Sequence, residues 1–173
     1  MRPAWPTWLR VLPAFVMLSG CAVQRIDNGV YHSPKGYRVE IPGSQWAPVV
    51  ESPADLELRH RASAAAMAAN ATCGAATARR PSSALARQLL IGVRDRTVIE
   101  HGEIQVAGRP AVHAVLDGRL TGAEDHVRIE TLVLKDDRCV YDLMYAAPSA
   151  AFAELRSDFA RFVESFKTDH THD

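Results

Sequence analysis

The chain has 173 residues, its 20 Lys and Arg balance 20 Asp and Glu, and apolar residues make up 47% of it. That size and apolar content suit one domain with a substantial core and leave little room for a second. The even charge, without a basic cluster, argues against nucleic acid as a partner and against electrostatic adhesion to acidic lipid.

Residues 1–20 have the parts of a secretory leader. Arg2 and Arg10 give a basic start, Val11 to Leu18 an apolar segment too short to span a bilayer comfortably, and Ser19 and Gly20 small side chains ahead of a cut. Leu18-Ser19-Gly20-Cys21 resembles the bacterial lipobox, which implies cleavage before Cys21 and lipid attachment to its thiol. The plainer readings are an ordinary secretory signal or an N-terminal membrane helix with an incidental cysteine. Several acyl chains, at about 0.8 kcal/mol per buried methylene, would make a stable tether. No other stretch is apolar for long enough to span a bilayer. Ala22 after the cysteine resembles lipoproteins sent to the outer membrane of Gram-negative cells. The expected location is therefore the cell envelope, on the periplasmic face of that membrane.

With Cys21 given to lipid, Cys73 and Cys139 remain. Exported chains meet an oxidising compartment, where such a pair is bridged, and both cysteines lie in strand-like runs that can be neighbours. The alternative is two buried free thiols acting as small hydrophobes. The absence of CxxC spacing argues against redox chemistry.

In chain order, residues 21–35 are polar, contain Gly29 and Pro34, and read as a flexible tether, with the folded domain expected over 36–167. Tyr37, Val39 and Ile41 alternate with Arg38 and Glu40 as in a half-buried strand, and Trp46 reads as a core plug under a loop. Leu56 to His60 alternates again. Ala62 to Cys73 has the propensity of a helix but no helical stripe, and alternation from Met67 to Cys73 makes it a strand. Pro81-Ser82-Ser83 starts a helix, capped by serine, that runs to about Val93 on Leu85, Leu89 and Val93. Val98 to Val106, Ala111 to Leu120, His126 to Lys135 and Cys139 to Tyr145 are successive antiparallel strands, joined too tightly for helical crossovers. Phe152, Leu155, Phe159, Phe162, Val163 and Phe166 recur at steps of three and four, the core face of a final amphipathic helix. Residues 168–173 read as a disordered tail. The class is α+β, a twisted antiparallel sheet flanked by helices.

Three segments carry a resemblance. Gly36-Tyr37-Arg38-Val39-Glu40-Ile41-Pro42 with Trp46 after it, Leu116-Asp117-Gly118 in the central sheet, and Phe162-Val163-Glu164-Ser165-Phe166 closing the last helix together resemble the PsbP-like family. Cys73 followed by Cys139-Val140-Tyr141-Asp142 is similar to uncharacterised bacterial lipoproteins of that type. The resemblance covers most of residues 36–167. It implies an α/β/α sandwich and an accessory or binding role, with no active-site motif to carry over, and fold alone is weak evidence of function.

Chemistry has few footholds. There is no GxSxG elbow, no HExxH, no phosphate-cradling Gly-rich loop and no dinucleotide fingerprint. Asp117, Glu124, Asp125, His126 and Glu130 gather around one turn, which suits an acid/base or metal constellation but equally a solvated turn. His170, His172 and Asp173 make a poor metal site, and His60 and His113 are isolated in sequence. No catalytic residue, metal ligand or cofactor is expected beyond covalent lipid on Cys21. The leading expectation is a non-enzymatic, lipid-anchored module that binds another envelope protein. A carrier or sensor of a small apolar ligand between sheet and final helix comes next, then a hydrolase assembled from dispersed residues.

Overall fold

In the computed structural model, which describes residues 26–169, Asn28 and Gly29 sit at φ 47° and 79°. Two successive left-handed residues make the tight turn whose twist matches paired strands, so β1 (Ile26–Asp27) folds back on β2 (Val30–Ser33). Residues 26–35, expected within a flexible 21–35 tether, are thus part of the domain. Asp27, Asn28, His32 and Lys35 are exposed while Tyr31 and Ser33 are buried. Lys35 pairs with Asp55 at 2.6 Å and donates to the Ala71 carbonyl, fastening the hairpin to the body.

β2 continues to β3 (Tyr37–Glu40), and β11 (Lys167–Thr168) pairs with β3, completing a four-stranded sheet in the order β1-β2-β3-β11. Thr168, assigned to a disordered tail, is therefore a strand residue. The Asp169 amide continues the pairing by donating to the Gly36 carbonyl at 2.9 Å.

The larger sheet comprises β4 (Trp46–Pro48), β5 (Leu56–His60), β6 (Ala66–Cys73), β7 (Val93–Val106), β8 (Arg109–Leu120), β9 (His126–Lys135) and β10 (Cys139–Pro148). Its order is β4-β5-β6-β10-β9-β8-β7, antiparallel throughout. The Ala-rich run is a strand, as alternation indicates. β6 pairs with β10 from Cys139↔Cys73 to Ala146↔Ala66 and with β5 on its other edge, so long-range pairing overrides local helix propensity.

Helices cover both faces of this sheet. α3 (Phe152–Ser165) buries Phe152, Phe159 and Phe162, each 3% exposed or less, against Leu132, Leu143 and Tyr145. Each such ring contributes roughly 1.5–3 kcal/mol. The small sheet shares that core, Tyr37 meeting Tyr141 and Phe166 at 5.8 and 5.6 Å between ring centroids. Ser165 Oγ donates to the Phe162 carbonyl and accepts the Glu40 amide, tying the end of α3 to β3. Trp46 is a core residue as expected, but on β4, with its indole N–H donating to Asp158 of α3 at 2.8 Å.

The opposite face carries α1 (Ala75–Ala78) and α2 (Ser82–Leu89). Leu85, Ala86 and Leu89 pack on Val112, Val133 and Val140. α2 is shorter than the expected helix to Val93, because Val93 is taken by β8 as the first residue of β7. Nor does a serine cap it: Pro81 is the N-cap and makes no side-chain cap bond.

Candidate functional site

Leu18, Ser19, Gly20 and Cys21 lie outside the described residues, as do His170, His172 and Asp173. Cys73 and Cys139 are bonded, with S–S 1.99 Å and Cα–Cα 4.0 Å, as register partners on β6 and β10. The bridge joins strand ends and leaves neither Cys73 nor Cys139 as a free thiol.

The acidic gathering around residues 117–130 separates into two places along one face of the β8–β9 pair. Asp117 accepts from the Ser149 hydroxyl at 2.6 Å and His126 Nδ1 at 2.7 Å, with Arg128 at 3.4 Å. The Ser149 hydrogen bond leads in holding its carboxyl below the usual range. Glu124 and Asp125 are exposed in the turn and join neither place.

Glu130 instead sits under α3, in a polar cluster that sequence order conceals. His113 Nε2 lies 2.8 Å from Glu130 Oε1, so His113, isolated in sequence, is paired in space. Arg156, on the charged side of the α3 pattern, donates to Glu130 at 2.9 and 3.1 Å and bidentately to Glu100 at 2.9 and 2.8 Å. Its guanidinium and that of Arg128 also lie 5.7 and 5.6 Å from the Phe152 ring centroid. Burial works against a charged Glu130, but hydrogen bonds from His113 and Arg156 outweigh it and keep the carboxyl below its ordinary value. Each group here is engaged by its neighbour, so the cluster clamps α3 to the sheet. A cleft of 280 Å³ opens beside it, over Leu132, Phe159 and Val163. Deeper in, the helix–sheet interface is filled by aromatic rings. Among the described residues no three His, Cys, Asp or Glu side chains are placed to hold a metal ion.

On the other face, α2 leaves a 330 Å³ cleft lined in part by Asn70, Thr72, Leu85, Gln88, Leu89 and Asp142. Burial pushes the Asp142 carboxyl up to about 6, with only Asn70 hydrogen bonding opposing it. Asp142 is easily taken for a solvent-facing strand residue. The signal against that is its own row on β10: Val140, Met144 and Ala146 flank it, too apolar for a face left to water.

The third feature is β7, an outermost strand of 14 residues of which all but Val93 and Val106 are exposed. Val98, Ile99 and Ile104 are 64%, 45% and 42% exposed. Among the described residues nothing pairs with its outer edge. Register irregularities between Arg94 and Thr97 and between Val98 and Glu100 twist its first half, while Glu100 to Val106 pairs regularly with β8. The opposite edge is only the three-residue β4, which includes Pro48. Exposed backbone donors and acceptors with apolar side chains are what an added strand uses.

No protein-family model matches the sequence, and no protein of curated function matches it. Solved structures do. LpqN, involved in cell envelope biogenesis of Mycobacterium tuberculosis, is similar with a TM-score of 0.58 and 13% identity, over 78% of this chain and 85% of that one. Cyanobacterial PsbP (CyanoP) of Synechocystis sp. PCC 6803 gives 0.55 and 14%, over 87% and 98%. A Bacteroides thetaiotaomicron protein gives 0.60 and 7% over 86% of this chain, which spans only 51% of that longer one. At these identities the likeness is one of fold: the chain has a PsbP-like α+β fold with helices on both faces of an antiparallel sheet.

Proposed function

We propose that this chain is a non-enzymatic binding module of the bacterial cell envelope, anchored by lipid on Cys21, that holds an extended segment of another envelope protein along β7. The observation that carries the reading is the long, exposed, apolar-studded edge of β7. Pairing a strand there would satisfy backbone groups and shield Val98 on one face of the sheet and Ile104 on the other. The leader and Leu18-Ser19-Gly20-Cys21 support an envelope location, and the fold likeness to LpqN agrees with it. The Glu130 and Asp117 clusters are internally neutralised, which favours binding over catalysis. No cofactor enters this reading.

Two measurements test it. A photo-crosslinking side chain at Ile99 or Ile104, activated in intact envelopes, is expected to give discrete adducts that Val98→Glu abolishes. The same probe at Val50, 88% exposed and away from β7, is the comparison, and an identical adduct pattern from it sinks the β7 assignment. Cys21→Ala is expected to leave an unlipidated precursor. Unchanged membrane retention and mature mass would remove the anchor.

A further inference from the structure

The cleft beneath α2 contains a carboxyl treated unlike Glu130, Asp117 and Asp55. Glu130 is met by Arg156 and His113, Asp117 by His126 and Arg128, and Asp55 by Lys35. Asp142 forms no ion pair with any described residue. Its register partner Asn70 is the one side chain that stabilises its charged form. Arg80 also lines the cleft but is exposed and forms no ion pair with Asp142. A half-buried carboxylate without a counter-charge is costly, and its attraction for a cation brought beside it is strong because little water screens the pair.

The surroundings define what such a cation would be. Leu85, Leu89 and Val140 form an apolar wall, while Asn70 and Gln88 bring amide groups to the same 330 Å³ space. That volume lies at the lower end of small-molecule sites, which run from about 300 to 1,000 Å³. We propose that the α2 cleft binds a small organic ammonium ion, its nitrogen on the Asp142 carboxylate and its hydrocarbon body against Leu85, Leu89 and Val140. A bare metal cation would make no use of the apolar wall. A carboxylate or phosphate ligand would be repelled by Asp142. An uncharged polyol would satisfy the amides and leave the carboxylate without a counter-charge. The site lies across the sheet from α3 and stands independently of the β7 reading.

Benzylamine is a suitable probe, since it joins an ammonium group to a single ring. In a titration of isotope-labelled protein at about pH 7.5, where both partners are charged, saturable NMR shifts are expected at the Asn70 and Gln88 side-chain amides and along Val140 to Asp142. Benzyl alcohol, of the same shape without the charge, should bind at least about tenfold more weakly. Asp142→Asn keeps the shape and should lose about tenfold in benzylamine affinity, with a cooperative thermal transition confirming that it folds. Thr72→Trp keeps the charge and fills the cleft mouth, and should weaken binding similarly. Val98→Glu on β7 should leave it unchanged. Equal affinity for the alcohol, full affinity in Asp142→Asn, shifts confined to another surface or no saturable shift each overturn the proposal.

Discussion

Asp142 and Glu130 lie on opposite faces of one sheet, and their neighbours push them in opposite directions. Glu130 is held charged by His113 and Arg156, whereas burial drives Asp142 up to about 6 against a hydrogen bond from Asn70. A folded-state value above that of the unfolded chain means that protonation favours folding. The contribution from Asp142 is therefore fully present below about pH 4 and is lost as pH rises through about 6. Asn cannot ionise, so Asp142→Asn is expected to be more stable than the parent near pH 7.5, by at most about 3 kcal/mol, and to match it near pH 4. Urea melts at the two pH values check this, and a difference that persists unchanged in acid would contradict the assignment. A carboxylate kept at the expense of stability fits a binding role better than a packing one. At this scale the sequence was only partly readable. Arg156, on the outer side of the α3 pattern, gave no hint that it clamps Glu130 and Glu100, because both lie on strands distant in sequence.

Among elements, β5, β6, β8, β9, β10 and the helix α3 were legible because their apolar residues repeat at the period of the element, whereas β7, exposed along nearly its whole length, was read as strand only from Val98. The β1–β2 hairpin was obscured by its short, polar strands, although Asn28-Gly29 is a strong turn signal between Ile26-Asp27 and Val30-Tyr31. The same geometry recurs at Ala107-Gly108, φ 50° and 74°, where β7 turns into β8 and flanking alternation made it readable. The start of β7 depends on one further residue. A Cβ built on Gly118 of β8 would come within 2.7 Å of Val93 Cγ1 and 2.8 Å of the Arg94 carbonyl oxygen. Gly118→Ala should thus lever the first residues of β7 from β8, at a cost of about 1–3 kcal/mol. Faster amide exchange confined to Val93, Arg94 and their partners would support this, and uniform acceleration along Val93 to Val106 would argue against it.

For the whole molecule, the order β4-β5-β6-β10-β9-β8-β7 joins the early and late strands of the large sheet at β6–β10. The Cys73–Cys139 bridge spans that seam and closes a separation of 66 residues. In the chain-entropy model such a closure is worth about 4 kcal/mol. The Cys73→Ala/Cys139→Ala double variant should lose most of it, and a denaturation midpoint equal to that of the oxidised parent would show that the bridge adds nothing. The α+β class and the bridge followed from pattern and compartment, whereas the seam did not. Which strands of two meanders meet is set by side-chain fit on both faces, which periodicity does not encode.

The seam also fixes an order of events in time. β7 to β10 are consecutive strands linked by short turns, so they can assemble locally and early, while β6 must find β10 across a large closure. The late meander can therefore form before the thiols meet, and their oxidation fixes a contact that chain diffusion has already made. Reduction of the folded protein would then loosen first the contact made last, where β6 meets β10.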